Sequence, residues 1–174
     1  MSIIDTLVTD RTEQDLENLE RLAAKGWDAM TAEEKSYWES AAGKGAYNAS
    51  DLNRVGLAVT YLHDELLESG YLIPGYTEPK TDWYAEDDAH SGLENIPTEQ
   101  RMADYLGNVA GIKAAISAAQ EIPANMEYLD IDGANNIEKL LVETDSRIDR
   151  MRRAMMLYSG MAWSGQIFGE FTPT

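Results

Sequence analysis

The sequence predicts an all-α protein: a helical bundle of three long helices plus two short N-terminal helices, one long irregular loop over about 71–97, and an extended C-terminal tail. Three observations predict it. Apolar residues recur at steps of three and four over three separate stretches, the spacing that puts them on one face of a helix. Residues that cap helix starts stand before each stretch. No alternating apolar–polar pattern runs long enough to found a sheet.

The elements follow in order. A short helix over Glu13–Lys25 is expected to turn Leu16, Leu19, Leu22 and Ala23 inward and to stop at Gly26. A second begins at the Thr31–Glu34 capping box, carries Tyr37 and Trp38, and ends before Gly43. Trp27, Tyr37, Trp38 and Tyr47 are expected to form a buried cluster joining these helices to the next. The first long helix covers about 50–69, capped by Asn48 or Ser50. Leu52, Val55, Val59, Leu62 and Leu66 form its stripe, and Gly70 stands where a C-terminal glycine belongs. Gly56 in its middle costs about 1 kcal/mol relative to alanine; it has a reason only if another helix packs closely there.

The irregular piece comes next. Tyr71, Tyr76, Trp83 and Tyr84 are expected to pin its first half to the helices. Its second half, 82–99, holds six acids and neither Lys nor Arg, and is expected in solvent. A connection of that length is more often functional than accidental. The next helix follows Pro97, with Thr98 as cap and Met102, Leu106, Val109, Ile112 and Ile116 on one face. Its end, AGIKAAISAAQ, is rich in alanine, which permits close helix contact.

The last helix is expected from about 132 to 158, capped by Asp132 or Asn135. Ile137, Leu141, Thr144, Ile148, Met151, Met155 and Tyr158 keep a heptad seam, which Leu140 and Met156 widen. Arg147, Arg150, Arg152 and Arg153 fall in its C-terminal half, where cations suit the helix dipole. Gly160 is expected to stop it. The chain then divides into one bundle domain, 1–159, and a docking tail, 160–174.

Composition narrows the function. The chain has 174 residues, 31 acids against 14 bases, and a formal net charge of −17. Such a charge argues against nucleic acid and against an anionic membrane surface, both polyanions. There is no cysteine, which removes disulfides, thiolate nucleophiles and cysteine-based zinc sites. The opening MSIIDTLVTDRTEQ lacks the features of a signal peptide, and no apolar run approaches a membrane span. Synthesis in a cytoplasm is the expectation.

Motifs for catalysis do not assemble. His63, in YLHDELLE, has no second histidine one turn on, and is expected solvated or capping. Glu86, Asp87, Asp88 and His90 offer a conceivable divalent-cation cluster, but a solvated charge run explains them better. YLDIDGANNIE fails as a calcium loop, because an EF-hand opened by Asp130 would need glycine at 135 and glutamate at 141. Asp132–Gly133 reads instead as a turn with a helix cap. GKG at 43–45 is followed by Ala46 and is no phosphate loop. No Gly-x-Ser-x-Gly elbow occurs. The expectation is a protein without enzymatic activity, catalytic residues, metal or cofactor.

The C-terminal stretch stands out. From Ala154 to Gly169 no side chain is charged, and Tyr158, Trp163 and Phe168 recur every five residues. Each aromatic buries on the order of 150–250 Å² when it finds a partner. Such a tail either folds back on its own bundle or docks on another subunit; docking is the expectation, with Tyr158, Trp163, Phe168 and Phe171 as the partner-binding residues.

Several stretches resemble a family of small phage and prophage structural proteins from Gram-positive, especially gut, bacteria. They are LAAKGWDAMTAEEKSYWES, GKGAYNASDLNRVGLAVTYL, PKTDWY, NIPTEQRMADYLGNVAGIKAA, NNIEKLLVETDSRI and YSGMAWSG. AYNASDLNRV and KTDW carry the resemblance most specifically, and it spans roughly 10–165. It implies a virion component of the tail (tip, baseplate or fibre attachment) whose partners are other copies of itself and other phage tail proteins. The alternative is an acidic DNA mimic that binds a host nucleic-acid enzyme. A hydrolase or metal enzyme built on Asp87 and His90 ranks below both.

Overall fold

The computed structural model describes residues 2–39, 44–83 and 97–163, apart from the side chains of 39 and 157–163. Five α-helices are present, and no strand occurs among the described residues. They are α1 (Glu13–Lys25), α2 (Ala32–Glu39), α3 (Ala49–Glu68), α4 (Glu99–Ile116) and α5 (Ile131–Trp163). Short 3-10 turns at Ile3–Thr6 and Trp27–Ala29 precede α1 and α2. The all-α architecture of three long helices with two short N-terminal ones is thus the observed one.

The caps follow local chemistry. Thr12 with Asp15, Thr31 with Glu34 and Asn48 with Asp51 are reciprocal capping boxes, each satisfying amides that a helix start leaves free. Thr98 Oγ1 accepts from the Arg101 amide at 3.3 Å. α5 corrects the sequence reading at both ends. Its start is held by Asp130, whose Oδ1 accepts from the Gly133 amide at 2.7 Å, in place of Asp132 or Asn135. Its end is not at Gly160, because the helix continues to Trp163. One glycine costs about 1 kcal/mol, and its neighbours Leu157, Met161 and Ala162 let an established helix propagate.

The three long helices run parallel. Near the starts of α3 and α5, Arg54 donates to Glu138 at 3.1 Å; further along, Tyr61 donates to Asp145 at 3.2 Å; near the end of α3, Arg152 meets Glu65 and Glu68. α4 keeps the same direction. Tyr105, near its start, shares a hydroxyl–hydroxyl hydrogen bond of 2.5 Å with Tyr47, just ahead of α3, and its last carbonyl, Ile116 O, accepts from Arg147 at 2.5 Å. Parallel neighbours cannot be joined by tight turns, since each connection must return about one helix length, ~30 Å for α3. This is why the chain needs its long irregular pieces.

The first return, over 71–83, runs back between α3 and α4. Ile73 lies on Gly111, Thr77 bonds Asn108, the Lys80–Thr81 backbone crosses Gly56, and Trp83 bonds Asn53. Gly56 therefore has its reason: a Cβ there would stand 3.1 Å from Lys80 O. What packs on it is an extended segment, not the helix that sequence logic called for. The second return, 117–130, brings Ile122, Met126 and Leu129 against the core.

One device recurs on all three long helices. An asparagine holds both backbone groups of a single residue outside the helices. Asn53 of α3 accepts from Trp83 N at 2.7 Å and donates to Trp83 O at 3.1 Å. Asn108 of α4 does the same for Thr77, at 2.9 and 2.6 Å. Asn135 of α5 does so for Arg11, at 2.9 and 3.0 Å. A carboxamide carries one acceptor and one donor in the spacing of a peptide edge, so it supplies what a neighbouring strand would. Extended backbone can then be buried between helices without leaving N–H or C=O groups unpaired.

The core joins the stripes of α3, α4 and α5: Val55, Leu62, Leu66, Val109, Ile112, Ile137, Leu141 and Ile148 are fully or almost fully buried. α1 packs more lightly than expected. Leu22 is buried, but Leu16 and Ala23 are exposed. Nor do the N-terminal aromatics form a buried cluster. Trp27 is 45% exposed and Trp38 40%, because α1 and α2 pack mainly on each other beside the bundle. Lys35 instead stands over the Trp27 ring, 4.9 Å from its centre.

Candidate docking surface

A buried ionic cluster fixes the body that any surface must rest on. Glu138 of α5 has no solvent exposure. Its carboxylate accepts from Val8 N at 2.5 Å, from Arg11 Nη2 at 2.6 Å and from Arg54 Nη2 at 3.1 Å. Asp51 binds the same two arginines and also caps α3 through Asn48 N at 2.8 Å. Two cations thus face two anions, and the group is neutral as a whole. Arg11 also lies 5.2 Å from the centre of the Tyr47 ring. Burial, reinforced by the neighbouring Tyr47, holds the Tyr105 phenol well above the ordinary tyrosine range. The cluster ties the N-terminal segment to α3 and α5, and within it the buried Arg11 Nε has no hydrogen-bond partner.

The residues weighed for chemistry resolve similarly. His63 lies mid-helix and does not cap; its side chain is 21% exposed and its ring stacks on Tyr76 at 3.7 Å and 11°, so it helps hold the first return segment. Trp83 is buried, faced by Lys80 and Arg101 at 5.5 and 5.7 Å. Tyr71 is partly exposed, its hydroxyl 3.5 Å from Met151 Sδ. Gly45 serves close packing, since a Cβ there would overlap Asp15 O and Leu19 Cβ. Glu86, Asp87, Asp88, His90 and Tyr84 lie outside the described residues. Among the described residues no cluster of three His, Cys, Asp or Glu could hold a metal, and no helix is long and apolar enough to cross a membrane.

Two surfaces are suited to contact with protein. The first is the far end of α5. Arg152 pairs with Glu65 and Glu68 near the end of α3, and the helix runs about 16 Å further. The expected seam is buried through Ile148, but Met155 and Met156 are 71% and 70% exposed. Leu67, Tyr71 and Leu72 are exposed around the end of α3. Tyr158 and Trp163 stand on the last turns of α5 by backbone; their side chains lie outside the described residues, as do Phe168 and Phe171 entirely. The arginines read as complements to the helix dipole are mid-helix and engaged: Arg147 with Glu143, Arg152 with Glu65 and Glu68, Arg153 with Asp149.

The second surface was not foreseen in the sequence. A groove of about 1190 Å³ runs between α4 and the 117–130 segment. Met102, Leu106, Ile122, Pro123, Met126 and Leu129 give it apolar walls, and Ala103, Gly107 and Ala110 make a low ridge along α4. The only available signal was this row of small residues on α4, which reads equally well as helix-contact sequence.

The chain matches no protein-family model, no curated protein and no solved structure.

Proposed function

We propose that the protein is a structural component of a phage or phage-like tail, without enzymatic activity: an all-α adaptor that assembles through protein–protein contacts with its own copies and with other tail proteins. The observation that carries this reading is the projecting end of α5. Beyond Arg152 the helix presents two largely exposed methionines, Met155 and Met156, and leads into a stretch free of charge to Gly169. Exposed apolar surface of that kind marks a contact site. The resemblance of AYNASDLNRV and KTDW to phage structural proteins points the same way. The rival reading, an acidic DNA mimic, draws on net charge. Against it, Glu65, Glu68, Glu143 and Asp149 are each paired with an arginine of α5, which interrupts any run of free carboxylates on that face.

The test is a chain lacking residues 160–174, supplied during particle production. It should keep its helical signal and its thermal transition, yet be missing from purified particles. Incorporation at the level of the full chain would refute the assembly role of this end.

A further inference from the structure

We infer that the apolar groove between α4 and the 117–130 segment receives Phe168 and Phe171 from the C-terminal segment of a second copy of the chain. The inference rests on the reading of that segment as a docking element and names its seat.

The groove has the chemistry for such an occupant. Its floor is unfilled at Gly107, where an added Cβ would meet nothing within 4 Å. Ala103, Gly107 and Ala110 leave a channel, and Met102 and Met126 on its walls are unbranched side chains that adapt to aromatic rings. The segment from Ser164 to Gly169 carries no charge, and Glu170 is the lone acid after it. Seating Phe168 and Phe171 leaves Glu170, between them, at the solvent-facing rim, where the exposed Glu99 and Glu127 also stand.

Length decides between the protein's own tail and another's. Ile116 at the end of α4 is level with Arg147 of α5. Trp163 stands about 24 Å beyond that level, and Leu106 in the groove about 15 Å on the other side of it. A tail turning back from Trp163 must cover about 39 Å to reach Leu106, and further to reach Met102. Fully stretched chain gives at most about 18 Å to Phe168 and about 29 Å to Phe171. Phe171 can at most touch the near end of its own groove at Ala110, and neither aromatic reaches Leu106 or Met102 while α5 is helical to Trp163. The tail of one copy then enters the groove of another, and the contact closes as a reciprocal dimer or a ring, or propagates as a filament.

The experiment is sedimentation velocity over a concentration series. It compares the full chain with Gly107→Trp, which fills the groove, with Ala110→Glu, which charges it, and with Phe168→Ala/Phe171→Ala. Positions 107 and 110 are exposed, and circular dichroism checks each fold. The unsubstituted chain should associate, and all three variants should associate at least about tenfold more weakly. A mixture of the Gly107→Trp chain with the Phe168→Ala/Phe171→Ala chain should restore one contact and stop at heterodimers, since one supplies the tail and the other the groove. If both groove variants associate normally while the tail variant does not, the groove is the wrong seat and the adhesive-tail reading survives. If the tail variant also associates normally, both are overturned. A full chain that stays monomeric at every concentration overturns the second copy as occupant.

Discussion

Asn108 of α4 and Thr77 of the first return segment exchange two hydrogen bonds, one in each direction, although α4 is a helix and Thr77 is extended. The carboxamide acts as the edge of a missing strand. With Asn53 on Trp83 and Asn135 on Arg11, it lets three parallel helices be wrapped by irregular chain. Asn108→Ala should therefore cost about 2–3 kcal/mol, because the Thr77 amide and carbonyl lose their partners while partly buried. Urea denaturation gives the loss, and amide exchange at Thr77 should lose protection well before the core of α3. Unchanged exchange at Thr77 would count against the clasp.

Glu138→Gln tests the ionic cluster. It leaves Arg11 and Arg54 facing Asp51 alone, and an uncompensated buried charge costs about 3–5 kcal/mol. Arg11→Met combined with Glu138→Met should cost less than the sum of the two single losses, since the double variant removes one charge of each sign. Additive losses in urea would show that the two residues act independently.

Gly45→Ala should destabilise by about 1–3 kcal/mol, the usual cost of overpacking. The new Cβ would overlap the Asp15 carbonyl and Leu19 Cβ, so the 44–46 turn must move off α1. Thermal melting measures the loss, and amide shifts should change on α1 more than on α4.

The junction of α1 with α2 should weaken in acid. A hydrogen bond from Lys25 at 2.5 Å and another from Thr31 N at 2.8 Å hold the Glu34 carboxyl down to about 2, from an ordinary 4.5. The folded value is the depressed one, so the stabilisation is full above about pH 4.5 and is lost as pH falls toward 2. Titration of the Glu34 side-chain carbon by NMR should show the low midpoint. Glu34→Gln should remove this part of the acid sensitivity of α1 and α2.

The helices were legible because their signals are local. Thr31 with Glu34, Asn48 with Asp51, and the stripe from Leu52 to Leu66 each act within a turn or two, so sequence spacing alone locates them. Two kinds of inference failed. Trp27 and Trp38 were expected inside on their hydrophobicity, yet where an aromatic goes depends on what packs beside it, and α1 and α2 largely pair with each other. Gly160 was read as a stop, yet a single glycine yields to the momentum of a long helix. Of the four residues expected to bind a partner, the described structure places the backbones of Tyr158 and Trp163; their side chains, and all of Phe168 and Phe171, lie outside the described residues.

The sequence by itself determined that this chain is helical, where α3 and α4 begin, which faces the long helices bury as far as Ile148, and that an uncharged aromatic stretch runs from Ala154 to Gly169. Those properties follow from composition and from residues a few positions apart. Only the tertiary structure decided that the long helices run parallel, that the first return is clasped by Asn53 and Asn108 and the N-terminal segment by Asn135, that Arg11 pairs with Glu138, and that a groove opens beside Gly107. Each of these joins residues distant in the chain. Direction, buried charge pairing and cavity shape are settled by which surfaces meet, and no local spacing encodes that.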